Sequence, residues 1–423
     1  FAASFDTIES RTQRLRLASG IQLALLPKRS RGQQVSIAVT LQGGSLQALR
    51  GHPGLTTLLG PMLTHGTAKK TFSQISDAFD DLDTELRPSD PSFFGSTDPE
   101  ISLALETTRA QLSPVLRLLA ELLRESNFPS DQLERVRKEQ ITQVESALQQ
   151  PVALAATHLL RRLTPFPADD PRYVATLPER IQQLAAPKAP ELQRFYRDHF
   201  GGPQAQIALV GDFDPQAVQQ ELGVLLGDQR AAQPYQRLPH PAPLHAGSED
   251  VIHVADKQGA VVLAAQNLAL ADHDPDAPAL SLFDFLLGGH ENSRLNTRLR
   301  EESGFAYTVA SFVQTSAHER SGMFLVFFTC APQNARPGLD LLRQELQRLL
   351  DKGPTPTELA AAQRTYQKHV EAGLTDDLAL ARRLALRMEQ GRSLRFDQEY
   401  VRRVTQLTLP ELMAAARRHI DPQ

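Results

Sequence analysis

Two histidines thirteen residues apart, His52 and His65, bracket an apolar run that reads G-L-T-T-L-L-G-P-M-L-T-H-G-T over residues 54–67. A catalytic zinc needs about three nitrogen or oxygen ligands plus an open position for water, and two histidines four apart on a helix supply two of them from one face. The spacing here does not do this. Pro53 and Gly54 separate His52 from the helix expected after them, so one helical face does not present both rings. Both are read as solvated histidines at a loop or a helix end. His290-Glu291 sets another histidine beside a carboxylate, but no histidine follows at the spacing a metal-binding helix requires. Cys330 is the only cysteine, which excludes an internal disulfide and any cysteine-rich metal cluster. It lies in G-M-F-L-V-F-F-T-C-A, a run that reads as a buried strand, so an inert core thiol is expected.

The 54–67 segment resembles the zinc-binding helix of pitrilysin-type metallopeptidases, the inverzincins, where the corresponding string runs roughly G-L-A-H-L-L-E-H-M-L-F-x-G-T. The flanking residues fit and the working residues do not. The first His, the Glu and the second His of H-x-x-E-H fall on Thr57, Gly60 and Pro61. Pro61 has no lone pair for a metal, Gly60 has no side chain to act as general base, and Thr57 alone is a poor ligand. The family's third ligand, a Glu further along the chain, falls in the neighbourhood of Glu139 and Glu145. Neither is assigned as its equivalent, and a lone carboxylate does not hold zinc. No metal or cofactor site is therefore expected in this chain.

A second segment resembles the same family. Residues 293–307 read S-R-L-N-T-R-L-R-E-E-S-G-F-A-Y and are similar to the family's second signature, S-R-L-x-x-x-L-R-E-x-x-G-L-x-Y, whose Arg and Tyr match Arg300 and Tyr307. A helix over 292–302 that stops at Gly304, a usual C-terminal cap residue, would pass the chain into a strand carrying Tyr307. Hydrolysis by a zinc-activated water builds negative charge on the scissile carbonyl oxygen. Arg supplies a fixed positive fork for that charge and Tyr a neutral hydroxyl donor, whereas neither makes a nucleophile. Arg294, Arg298, Glu301 and Glu302 are read as helix surface, with Arg298 and Glu302 as an i, i+4 pair.

The elements that hold these residues come in two copies. E-L-Q-R-F-Y-R-D-H-F at 191–200 matches E-L-M-A-A-A-R-R-H-I at 411–420, a step of 220 residues; 114–119 matches 337–342 at a step of 223, and Leu133 matches Leu359 at a step of 226. Such a small drift over a long distance describes two copies of one domain. Strands are expected at 21–27, 35–43, 100–106 and 205–211 in the first copy, and at 251–255, 261–268, 307–313 and 322–330 in the second. Amphipathic helices follow in both, and Thr355 with Glu358 forms a capping box around Pro356. Residues 233–243 carry four prolines, the composition of a stiff linker. The expected organisation is a first domain at 1–228 with the degenerate zinc motif, a linker at 229–248 and a second domain at 249–423 with the Arg/Tyr pair. The fold class is α+β: two homologous domains, each a mainly antiparallel sheet packed with helices on one side, the plan that the family resemblance also implies.

Composition narrows the function. The chain has 423 residues, 41% hydrophobic and 22% charged, with a net charge of −4. Nothing in that balance points to nucleic acid, and no run of about 18 apolar residues suggests a membrane span. The opening Phe1-Ala-Ala-Ser fits a mature protein after removal of a signal peptide, as it also fits an expression product; the periplasm is the expected location, with the cytoplasm as the alternative. The resemblance implies half of an active site: the non-catalytic subunit of a heterodimeric zinc metalloendopeptidase, inactive alone. Its partner would be a homologous subunit that carries H-x-x-E-H and holds the zinc, its substrate an unfolded peptide, and Arg300 and Tyr307 would act in trans. A structural or peptide-binding subunit with no part in chemistry is the alternative.

Overall fold

The computed structural model describes residues 3–88 and 98–422; Phe1 and Ala2, on which the opening of the chain was read, lie outside them. Among the described residues nine strands form two sheets. The first comprises β1 (Gln13–Arg16), β2 (Gln22–Pro27), β3 (Gln34–Gln42), β4 (Glu85–Pro88), β5 (Glu100–Thr108) and β6 (Ala205–Gly211), in the order β1-β2-β6-β3-β5-β4. The second comprises β7 (Ala260–Leu268), β8 (Ala306–Thr315) and β9 (Gly322–Cys330), in the order β7-β9-β8. Every neighbouring pair is antiparallel except β2 and β6.

Seven of the eight expected strands recur within two residues at either end. The eighth does not: residues 251–255 form no strand, and Val251 and Ile252 stand 74% and 44% exposed. Their apolar pattern suits a strand, but among the described residues no strand lies beside them to pair with. The sequence reading passed over β1 and β4, short strands of mostly polar residues that lie at the two edges of the first sheet.

The two halves repeat one order of elements. β3, the helices Leu55–Met62 and Phe72–Asp81, β4, β5 and the helices Leu112–Glu125 and Ser130–Ala147 correspond to β7, the helix Ala277–Leu287, a π-helix Asn296–Glu302, β8, β9 and the helices Ala335–Lys352 and Pro356–Ala372. The capping box forms as read: Glu358 N–H donates to Thr355 Oγ1, and Thr355 N–H donates to Glu358 Oε2, both at 3.2 Å.

Strand alternation then sorts the core. Leu23, Leu25, Ile37, Val39, Ile207 and Leu209 face a cluster with Leu116, Leu119 and Leu123 of the Leu112–Glu125 helix. On the opposite face Ala24, Ala38 and Ala208 meet Leu380, Ala381, Leu384 and Ala385 of the helix Asp377–Glu389, which comes from the second half of the chain. Alanine on both surfaces lets backbone approach backbone, so added methyl groups there would force the helix away. The exchange is mutual. The helix Pro151–Leu163 from the first half packs on β7, and Asn267 Nδ2 donates to Leu163 O at 2.8 Å. Residues 228–259 form no helix or strand but tie both halves: Gln236 N–H donates to Gly44 O at 3.0 Å, and Arg237 meets Glu319 through two 3.0 Å hydrogen bonds.

Candidate functional site

Thr57, Gly60 and Pro61 share the outward face of the helix Leu55–Met62, whose inward face is Leu55, Leu58, Leu59 and Met62. A Cβ built on Gly60 would meet nothing within 4 Å, so the space where a general base would stand is open. Pro61 lacks the N–H that would bond to Thr57 O one turn back. The residues present do not fit a zinc ion, and among the described residues no group of three or more His, Cys, Asp or Glu is arranged to hold one.

The nearby histidines are engaged rather than simply solvated, which corrects the sequence reading. His52 Nδ1 pairs with the Glu191 carboxylate of the helix Ala189–His199. His65 Nδ1 donates to Pro61 O at 2.7 Å, and its ring stacks on Phe72 with centroids 4.5 Å apart. Burial holds the His65 imidazole below its ordinary pKa. Glu139 pairs with Arg135 at 3.1 Å, and Glu145 is exposed. His290 stacks on Phe285 with centroids 4.2 Å apart and donates to Phe285 O at 2.8 Å. Cys330 is fully buried on β9, and burial pushes its thiol pKa up.

The 293–307 segment is irregular at both of its key residues. The helix expected over 292–302 is a π-helix from Asn296 to Glu302, a rare form that is frequent at functional sites. Leu295 and Leu299 are fully buried and anchor it, while Arg300 is exposed. Asn296 Nδ2 ties this helix to the next strand through Val309 O at 3.4 Å. Gly304 has φ +64°, the left-handed conformation that ends the helix. β8 then pairs Ala306 with Cys330 and Thr308 with Thr329, so Tyr307 is the extra residue of a β-bulge. Bulges re-aim side chains. This one sets Tyr307 and Thr308 both on the exposed side while Ala306 and Val309 stay buried, and Tyr307 is 63% exposed.

Neither the Arg300 guanidinium nor the Tyr307 hydroxyl makes a hydrogen bond or ion pair with the described residues. Arg298 pairs with Glu302, as the spacing suggested. Arg294 is not the surface residue that was expected. Its Nε and Nη2 donate to Glu358 at 2.6 and 2.8 Å, Nη1 to Glu345 at 3.2 Å, and Nη2 also to Gly353 O at 3.2 Å. Glu345 is only 3% exposed. The one sequence signal for this network was the position of Arg294 inside the 293–307 signature.

Residues 23–165 match the family model described as Insulinase (Peptidase family M16), and residues 188–366 match that described as Peptidase M16 inactive domain. An uncharacterized zinc protease of Streptomyces coelicolor is 28% identical over 244 residues, and the match spans 56% of this chain and about half, 52%, of that protein. A protein of Helicobacter pylori named a non-peptidase homolog is 24% identical over 336 residues, 78% of this chain and 73% of its own length. The crystal structure of a peptidase M16 inactive domain from Pseudomonas fluorescens has a TM-score of 0.83 over 97% of this chain and 95% of its own, at 22% identity, a likeness of fold. With one family model spanning the degenerate helix and another spanning the 293–307 signature, the chain belongs to peptidase family M16, the pitrilysin-type metallopeptidases.

Proposed function

We propose that this chain is the non-catalytic subunit of a heterodimeric zinc metalloendopeptidase. It has no zinc ligands of its own at Thr57, Gly60 and Pro61, and it acts with a homologous H-x-x-E-H subunit that binds the metal. Zinc in that partner supplies the Lewis acid and the activated water. Arg300 and Tyr307 supply donors for the negative charge that builds on the scissile carbonyl oxygen of an extended peptide. Preorganised donors of this kind contribute about 2.7–4 kcal/mol each.

The observation that carries this reading is the contrast within one short segment. Arg294 and Arg298 are committed to neighbouring carboxylates, whereas Arg300 and Tyr307 face solvent with no partner among the described residues. A purely structural segment gains nothing by leaving an Arg and a Tyr so placed, one on a π-helix and one on a bulge. Peptidase activity and zinc content of this chain alone, of the H-x-x-E-H subunit alone and of the mixture test the assignment. Zinc and cleavage in the mixture, with none in this chain, are the expected result. Full activity of the partner by itself would make this chain a structural or peptide-binding subunit.

A further inference from the structure

Tyr307 and Phe312 are the only phenylalanine or tyrosine side chains left exposed among the described residues, and both stand on β8. Aromatic rings carry a large apolar area, so two of them exposed on one strand mark a surface with a use. Strand alternation shows how they are arranged. Val309 and Ser311 point inward, where Val309 joins Phe324, Val326 and Phe328 in the core, and Ala310, Phe312 and Gln314 point the other way. The bulge adds Tyr307 to that outward side.

That side is uncharged and its polar groups are matched. None of the residues of β7, β8 and β9 carries a charge. The hydroxyls of Thr308 and Thr329 bond to each other at 2.8 Å. The Phe312 ring lies against Phe327 of β9 with centroids 6.1 Å apart and planes 10° apart, which holds it in one orientation. Ala310, the cross-strand partner of Phe327, has the smallest side chain of the row and lies between Tyr307 and Phe312. The row therefore forms a step with Ala310 as its floor and aromatic rings as its walls. The main chain of β8 is occupied at this point, because Ser311 N–H donates to Gly288 O at 3.2 Å and Val309 O accepts from Asn296 Nδ2 at 3.4 Å. A ligand on the step meets side chains rather than a free strand edge.

Resting on the reading that Arg300 and Tyr307 hold the scissile carbonyl, we propose that Phe312 sets substrate preference: an apolar or aromatic side chain two residues from the cut bond packs on Ala310, between the rings of Tyr307 and Phe312. An extended peptide advances about 3.3 Å per residue and returns to the same face every second residue. From a carbonyl held at the bulge, the side chain two residues away falls about 6.6 Å along β8, the span from Thr308 to Ala310. A charged side chain is rejected there, since the step holds nothing to offset its desolvation. The substrate class is thus unfolded polypeptide of the apolar kind that a folded protein keeps in its core.

The reconstituted peptidase, this chain with its H-x-x-E-H subunit, is given a synthetic library of unstructured peptides, and the cut sites are read by mass spectrometry. In wild type, Phe, Leu, Ile, Met or Val should be favoured about tenfold or more over Ser at one position two residues from the cut bond. Phe312→Thr, a surface change to another residue at home in strands, should remove most of that preference by raising KM with kcat unchanged. Tyr307→Phe keeps the ring, so it should lower kcat for every peptide and retain the preference; the donor role and the apolar step thus fail separately. The chain contains no tryptophan, so the emission of the blocked peptide Ser-Ala-Trp-Ala-Ser reports binding to this chain without turnover. A blue shift at millimolar peptide, lost in Phe312→Thr, is expected. The proposal is overturned by a wild-type preference that survives Phe312→Thr, by cleavage indifferent to that position, or by the absence of any shift. It is also overturned if Phe312→Thr weakens the affinity of the two subunits as much as it weakens the preference, which would make this face a subunit contact.

Discussion

Arg294, just before the π-helix Asn296–Glu302, holds Glu358 in a two-pronged grip of 2.6 and 2.8 Å, and the Arg300 guanidinium, on that helix, holds nothing among the described residues. The first arginine bolts the segment to the helices Ala335–Lys352 and Pro356–Ala372, since it reaches Glu345 on one and Glu358 on the other. With that anchor fixed, the second is free to face outward in a defined direction.

Removing the anchor should therefore be costly. Arg294→Ala leaves Glu345, 3% exposed, without its closest cationic partner, and loss of one member of a buried pair costs about 3–5 kcal/mol. Arg298 and Arg348 remain within 3.8 and 3.6 Å of the same carboxylate, so the lower end of that range is expected. Arg294→Lys should recover only part, because a single ammonium cannot reproduce the fork. Chemical denaturation of the three proteins reads the order. Equal stability of wild type and Arg294→Ala would show that the network contributes nothing.

Arg300 and Tyr307 should behave in the opposite way. Neither has an internal partner to lose, so Arg300→Ala and Tyr307→Phe should shift stability by no more than about 0.5 kcal/mol. In the reconstituted peptidase each should lower kcat by about 10²–10³-fold. Normal turnover of both variants in an active complex would remove these residues from the chemistry.

The strands of this fold were legible because their apolar runs alternate or stay apolar throughout: 205–211 and 322–330 were bounded to the residue. The failure at 251–255 has a physical cause, since a strand is defined by its neighbour and sequence pattern does not reveal whether one is present. The exchange of helices between halves was equally hidden. The Asp377–Glu389 helix offers small and apolar residues at Ala381, Leu384 and Ala385, which tell that it is buried but not that the other half's sheet covers it. At the candidate site, the cap at Gly304 could be read from its residue type. The π-helix and the bulge at Tyr307 could not, because both are set by packing of the segment against β9 and the Ala335–Lys352 helix.

Asp284 should give the second half an unusual dependence on pH. Burial pushes its carboxyl up to about 7, and its Oδ1 has no hydrogen-bond partner. Because the folded pKa lies above the unfolded one, the native state binds the proton more tightly than the unfolded chain does. The associated stability is fully present below pH ~4 and is lost as the pH rises through 7. Asp284→Asn should accordingly gain about 2 kcal/mol at pH 8, little at pH 4, and show a flatter profile between them. An unchanged slope over that interval would place the proton uptake elsewhere.

The degenerate helix makes the last prediction. In Leu55–Met62 the proline removes the donor that would close the turn on Thr57 O, and its ring crowds that carbonyl. An interior proline costs about 3 kcal/mol, and a position one residue from the helix end should cost less. Pro61→Ala should thus stabilise the first half by about 1 kcal/mol or more, seen as a higher denaturation midpoint with the same slope. It should also leave the protein without zinc, since alanine adds no ligand and Gly60 still carries no base. Gly60→Glu tests the space beside it. Nothing lies within 4 Å of the added Cβ, so the side chain should be accommodated without loss of fold, though glutamate's higher helix propensity gives only a few tenths of a kcal/mol at such a site. If Pro61→Ala destabilises the protein instead, the ring itself is packed, and the loss of the metal-binding residues at this helix was accompanied by a new contact.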